Sequence, residues 1–158
     1  MSSNVELPNI AEVIGRVLLR VPRSQQPILI ALAERLAAAR YRGWAGEVTE
    51  PDRRAGLLAC ADREEEIARR IEALYPEAAA LQRDLLAGNP DLLDLNRSLF
   101  AGYPLDQQFI IQAQGERLGA ATWRSFAHDD DNRETFLECA RLEEHSAAFL
   151  ESLSTPSR

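Results

Sequence analysis

Lysine is missing from this chain: all 18 basic residues are arginine, set against 25 acids for a net charge of −7. That balance excludes nucleic-acid backbones and anionic membrane surfaces as default partners, because both are themselves negative. Two cysteines cannot make a disulfide framework. Val and Thr are sparse and no stretch alternates apolar with polar residues, so no strand is predicted. No apolar run reaches transmembrane length, and the opening Met1-Ser-Ser-Asn-Val-Glu lacks the basic and apolar regions of a signal peptide. A soluble, cytoplasmic protein is the expectation. A Gly-rich phosphate loop, a Ser/His/Asp set, a Cys-x-x-Cys pair and a basic stripe are equally missing.

What remains is rich in Ala, Leu, Arg and Glu, all good helix formers. With 158 residues the chain is one domain by length. Asn9 with Glu12 reads as a capping box opening a short helix that stops before Pro22. Ser24 can cap the next helix, to about Glu47. Thr49 with Asp52, and Pro51 in the first turn, opens another reaching Tyr75. Pro76 and Gly88 bracket a short helix, and Asn89-Pro90 and Gly102 a second. A long helix runs from about Leu105 to His128, and Asp131 with Glu134 caps the last, which ends before Ser154. The fold class is therefore all-α, with four long helices of roughly 33–36 Å each and a disordered tail over 154–158.

The chain also matches itself. Residues 22–45 (PRSQQPILIALAERLAAARYRGWA) and 104–127 (PLDQQFIIQAQGERLGAATWRSFA) are identical at 12 of 24 positions. Residues 57–74 and 136–153 share Leu58/Leu137, Cys60/Cys139, Ala61/Ala140, Glu64/Glu143, Glu65/Glu144, Ala68/Ala147, Glu72/Glu151 and Leu74/Leu153. Helical composition alone yields stray Ala and Leu matches, not P-x-x-Q-Q, E-R-L and C-A-x-x-E-E in one order. The reading is repeat 1 over about 9–75, a connector with short helices over 76–104, and a repeat 2 hairpin over 105–153. Two hairpins make a four-helix bundle. The connector can cross it end to end or fold over one end.

Four carboxylates fall inside the apolar stripes of the long helices. Glu34 shares a face with Ile30, Ala37, Tyr41 and Val48; Glu64 with Leu57, Ala61, Ala68, Ile71 and Tyr75. Glu116 shares one with Phe109, Ala113, Ala120 and Trp123, and Glu143 with Phe136, Ala140, Ala147 and Leu150. Within each hairpin the two Glu are about equally far from the turn, which places them at one height on facing helices. Four inward carboxylates need protons, arginine partners or metal cations. Arg35, Arg42, Arg117 and Arg124 are the partners for the ion-pair reading.

In this arrangement the chain resembles the ferritin-like superfamily, nearest to its rubrerythrin-like two-hairpin members, over nearly its whole length. The resemblance implies a four-helix bundle and dioxygen, peroxide or iron chemistry at a carboxylate-bridged metal pair. By position, Glu34 and Glu116 match the single Glu of the first and third helices, and Glu64 and Glu143 the Glu of two Glu-x-x-His units. The two His positions hold Ile67 and Ser146. The implied centre is a carboxylate-only site for Fe or Mn, such donors suiting Mn, Mg or Fe(II) better than Zn or Cu, with Tyr41 as the nearest redox-active side chain. The alternative is a metal-free bundle acting as a protein-interaction or small-ligand-binding module. A homodimer is the expected assembly in either case.

The remaining chemistry-bearing residues have plainer readings. His145, two positions from Glu143, points outward. His128 sits among Asp129, Asp130 and Asp131 in a solvated hairpin tip. Cys60 and Cys139 act as small core hydrophobes unless they touch. Tyr41, Trp44, Trp123 and Phe126 are core or interface aromatics. Glu65 and Glu144 lie roughly 100° around their helices and face solvent or an interface.

Overall fold

The structure, a computed structural model, describes residues 6–128 and 131–154, and among these it is all-α. Seven helices follow in order: α1 (Ile10–Leu18), α2 (Gln26–Glu47), α3 (Pro51–Glu72), α4 (Ala78–Gly88), α5 (Leu92–Ser98), α6 (Leu105–Ala127) and α7 (Arg133–Ser154). The long ones, α2, α3, α6 and α7, have 22, 22, 23 and 22 residues. None of the helices is long and apolar enough to cross a membrane.

The helix starts depart from the sequence reading in instructive ways. Asn9 does cap α1, accepting from the Glu12 backbone N–H at 3.1 Å. The Glu12 carboxylate turns instead to Arg16, one turn on, so the reciprocal half of the box is not made. Ser24 is not a cap: a single 3-10 turn over Arg23–Gln25 precedes α2. The second Gln of each P-x-x-Q-Q ties its helix to the preceding segment, Gln26 donating to the Leu18 carbonyl at 3.0 Å and Gln108 to the Tyr103 carbonyl at 2.7 Å. Glu50 rather than Thr49 precedes α3, whose start rests on Pro51. Proline fixes φ for the first turn and has no N–H to satisfy, which makes a side-chain cap dispensable. α3 stops at Glu72, short of Tyr75. α7 begins at Arg133, so Asp131 lies one residue outside the cap position. Asp129 and Asp130 of the acidic tip, residues 1–5 and the tail beyond Ser154 lie outside the described residues.

α2 and α3 form one antiparallel pair and α6 and α7 the other, joined chiefly where α3 packs on α7. Arg54 closes the first turn by donating to the carbonyls of Ala45 and Val48, both at 3.0 Å, which satisfies acceptors left over at the end of α2. α1 lies on α6, and α4 on α2. Tyr75, just past α3, donates to the Ser24 carbonyl at the start of α2, 2.7 Å away. Leu105, opening α6, and Leu153, near the end of α7, pack on the same core, at the end away from Tyr75. The connector over 76–104 therefore runs the length of the molecule. Gly102, at φ 84°, makes the turn into α6, a conformation costly for any residue with a Cβ.

Apolar residues gather in two cores at opposite ends. Ile28, Ile67, Ile71, Trp123, Phe126 and Phe136 anchor one; Tyr41, Trp44, Leu57, Phe109 and Leu150 anchor the other. Trp44 meets Tyr41 and Phe109 edge-on, at 5.4 and 5.2 Å between ring centres, while Trp123 stacks on Phe136 at 6.0 Å. Such pairs add about 0.5–1.5 kcal/mol each beyond the area they bury. Cys60 belongs to one core and Cys139 to the other, and both are free thiols. The two cysteines are not a pair.

Candidate metal centre

Between the two cores the apolar packing is interrupted by carboxylates. Glu34, Glu64, Glu116 and Glu143 are all buried, Glu64 completely and Glu34 to within 7%. Each is delivered by the middle of a different long helix, α2, α3, α6 and α7 in turn, and the 3.6-residue period that buries its apolar neighbours buries it too. One carboxylate oxygen each from Glu34, Glu64 and Glu143 lie within 4.8 Å of one another. Glu116 stands beside this trio.

The arginine partners anticipated for these groups are engaged elsewhere. Arg35 pairs with Glu72, Arg42 with Glu65 at 2.8 Å, Arg117 with Glu151 at 2.7 Å and Arg124 with Glu144. All four pairs lie on the outer faces, where long cationic side chains keep their hydration. Among the described residues no cationic side chain forms an ion pair with any of the four inward carboxylates.

Neutral donors hold two of them instead. Glu116 Oε1 accepts from the Tyr41 hydroxyl at 2.7 Å and from Gln112 Nε2 at 2.8 Å. Glu143 Oε1 accepts from Trp123 Nε1 at 3.0 Å. Gln112 is fixed in turn by Arg40, which donates to its Oε1 at 2.7 Å, also bonds Asn96 on α5 and stacks over the Phe100 ring at 3.9 Å. Both Glu64 oxygens and Glu116 Oε2 accept from no protein donor. A buried acceptor left this way is costly, and Glu64, with neither oxygen partnered, belongs to the trio whose oxygens meet within 4.8 Å, a place suited to a cation or shared protons.

The electrostatics agree with that reading. Burial first, then the charges of Glu116, Glu34 and Glu143, pushes the Glu64 carboxyl well above the usual carboxylate range. Glu143 is raised in the same way, by burial and then by Glu34 and Glu116. Glu34 rises less freely: burial lifts it, while hydrogen bonds with Glu64 and Glu143 pull it back. Burial also raises the Tyr41 phenol well above its ordinary value, with the charges of Glu116 and Glu64 adding to it. Arg40, the nearest cation, is lowered to about 10 by burial and keeps its charge at neutral pH.

The positions where His would complete the two Glu-x-x-His units are closed. Ile67 is packed in the core and Ser146 is fully buried. Ser146 accepts from Arg63 Nε at 2.9 Å, and the same guanidinium reaches Cys60 Sγ at 3.2 Å. Cys60 is raised by burial and Cys139 is pushed up to about 12, again by burial, so neither is a thiolate ligand at neutral pH. His145 is exposed on the outer face. The donor set is carboxylate alone, which fits a hard divalent ion.

Two features were not anticipated from the sequence. Arg40 is one: its outward neighbours in the repeat disguise a side chain that bends back into the interior. The other is a cavity of about 270 Å³ between α2 and α6, roofed by α1 and α5 and reaching Glu34, Glu116 and Glu143. The replacement of Ile30 by Gln112 in the second copy, one turn before Glu116, was the available sign that this face is wet. Compared with known proteins, the chain matches no protein family, no curated protein and no solved structure.

Proposed function

We propose that this protein is a ferritin-like four-helix bundle in which Glu34, Glu64 and Glu143 hold a hard divalent cation, iron(II) or manganese(II), with Glu116 beside them as a neighbouring carboxylate outside the ligand set. The observation that carries the reading is the meeting of three buried carboxylate oxygens within 4.8 Å with no cationic side chain to neutralise them. The lengthwise connector and the one-Glu-per-helix supply support the ferritin-like plan. Such an ion, when bound, supplies one-electron chemistry toward dioxygen or peroxide. The chain's own part is positional. Trp123 orients Glu143, Tyr41 and Gln112 orient Glu116, and Arg40 moderates the accumulated negative charge. The two aromatic cores keep bulk water from both ends of the cluster.

The test is metal content. After anaerobic loading with Fe(II) or Mn(II) and desalting, plasma mass spectrometry should find one to two ions per chain, and Glu64→Gln should abolish retention without unfolding the protein. Wild-type protein that keeps no metal would overturn the proposal. It would leave the second reading, a metal-free bundle binding a small molecule, which the 270 Å³ cavity favours.

A further inference from the structure

The cavity between α2 and α6 has two chemically distinct parts. Its walls are aliphatic, with Ile10, Val13 and Val17 of α1 facing Leu92 and Leu95 of the α5 segment across the opening. Its floor is acidic: Glu34, Glu116 and Glu143 line it, and Glu64 does not. Glu116, 1% exposed, is part of this lining, and its Oε2 accepts from no protein donor. The two cations that line the cavity are both engaged: Arg35 pairs with Glu72, and Arg40 is held by Gln112, Asn96 and the face of Phe100. A divalent ion held by Glu34, Glu64 and Glu143 leaves that Glu116 oxygen unanswered, so the demand for a second positive group stands whether or not metal is bound.

We infer that the α2–α6 cavity is a binding site for a hydrophobic primary amine, its apolar body between α1 and α5 and its ammonium group on Glu116 Oε2. The shape and the charge favour the same class. A cavity of about 150 Å³ lined by aliphatic and aromatic side chains takes benzene, so 270 Å³ accepts a two-ring or similarly bulky body. A buried carboxylate facing such a cavity rewards an ammonium and penalises a neutral or anionic head, because leaving the carboxylate unpaired on complex formation costs its full desolvation. Gly115 also lines the cavity, and a Cβ added there would meet nothing within 4 Å. That position is open to a plug.

The experiment is isothermal titration with three probes of one shape, naphthylmethylamine, naphthylmethanol and naphthoate, on metal-free and Mn(II)-containing protein at neutral pH. The amine should bind at least tenfold more tightly than the alcohol, the naphthoate should not bind, and Mn(II) should leave the amine's affinity within a few-fold. Glu116→Gln should remove the preference for the amine over the alcohol. Gly115→Leu, which fills the cavity and improves helix propensity, should abolish binding of both while leaving the fold intact by circular dichroism. Equal binding of amine and alcohol, preference for naphthoate, expulsion of the amine by Mn(II), or binding that survives Gly115→Leu would each overturn the assignment.

Discussion

The two hairpins are alike where they face water and unlike where they face each other. On the outside the second copy reproduces the two ion pairs that cross between the helices of the first: Arg35–Glu72 is repeated as Arg117–Glu151, and Arg42–Glu65 as Arg124–Glu144. Around the inward carboxylates the correspondence fails at one position after another. Tyr41 is answered by Trp123, Ala37 by Gly119, Ile30 by Gln112, Arg40 by Thr122, and Ile67 by Ser146. The donors follow the residues. Tyr41 reaches across to a carboxylate of the other hairpin, whereas Trp123 serves Glu143 within its own. Solvated pairs tolerate symmetry because each copy meets the same solvent. The four carboxylates themselves are kept in both copies, and it is the residues that orient them that have diverged.

That contrast can be broken most forcefully with pH. Glu34, Glu64 and Glu143 have folded-state values above the ordinary carboxylate range. Protons are therefore bound more tightly in the folded state, and the stabilisation is complete below the unfolded carboxylate value and lost as pH rises through the folded one. Metal-free protein should be most stable near pH 4–5 and should lose up to about 1.4 kcal/mol per pH unit for each group that titrates alone. Urea denaturation at a series of pH values measures this, and bound Mn(II) should flatten the curve. A metal-free protein whose stability climbs from pH 5 to pH 8 would mean that the inner carboxylates are neutralised like the outer ones.

Substitution gives the next largest effect and should have opposite signs in the two shells. Glu64→Gln removes a carboxyl that burial and its acidic neighbours make costly to ionise, and should stabilise metal-free protein by about 1–3 kcal/mol once the pH is high enough to ionise the wild-type group. Glu72→Gln removes the partly buried partner of the half-exposed Arg35 and should cost about 0–1 kcal/mol. Destabilisation by Glu64→Gln in metal-free protein would point to an undetected cationic partner.

A finer probe is the Ala37/Gly119 pair. Ala37→Gly should cost about 0.5–1 kcal/mol as an ordinary helical glycine. The reverse change in the other copy should not return that amount. A Cβ on Gly119 would stand 2.7 Å from Glu143 Oε1 and 2.9 Å from its Cδ, so Gly119→Ala must displace the carboxylate. Mn(II) retention should fall about tenfold, a ΔΔG near 1.4 kcal/mol, while Ala37→Gly leaves it within twofold. Smallest of all, Arg35→Ala and Arg117→Ala should match each other within about 0.5 kcal/mol in thermal denaturation, the ordinary spread for exposed positions.

The long helices and the stripes that bury Glu34, Glu64, Glu116 and Glu143 were legible because a helix announces itself through periodicity, and a carboxylate inside an apolar stripe has one direction to point. The repeat sharpened this by supplying two readings of each position. Local chemistry was less legible. Thr49 and Ser24 are good capping residues that the chain does not use, because a proline and a 3-10 turn made other starts available. The arginine partners were misplaced for a related reason: Arg35 and Arg117 lie one residue from the carboxylates in sequence and about 100° away around the helix. The cavity was illegible in principle, since it arises from how far apart α2 and α6 stand, and no single helix encodes that distance.

The connector that spans the molecule is also its least anchored part. α4 buries only Leu85, α5 buries no residue, and α1, which shares the roof, buries only Ile10. The long helices bury seven to ten residues each. Segments with so little apolar anchorage open locally at a fraction of the global unfolding free energy. Their backbone amides should therefore exchange with solvent well before those of α3 and α7. Traffic into the interior is then timed by the breathing of these short roof helices, while the two aromatic cores stay shut.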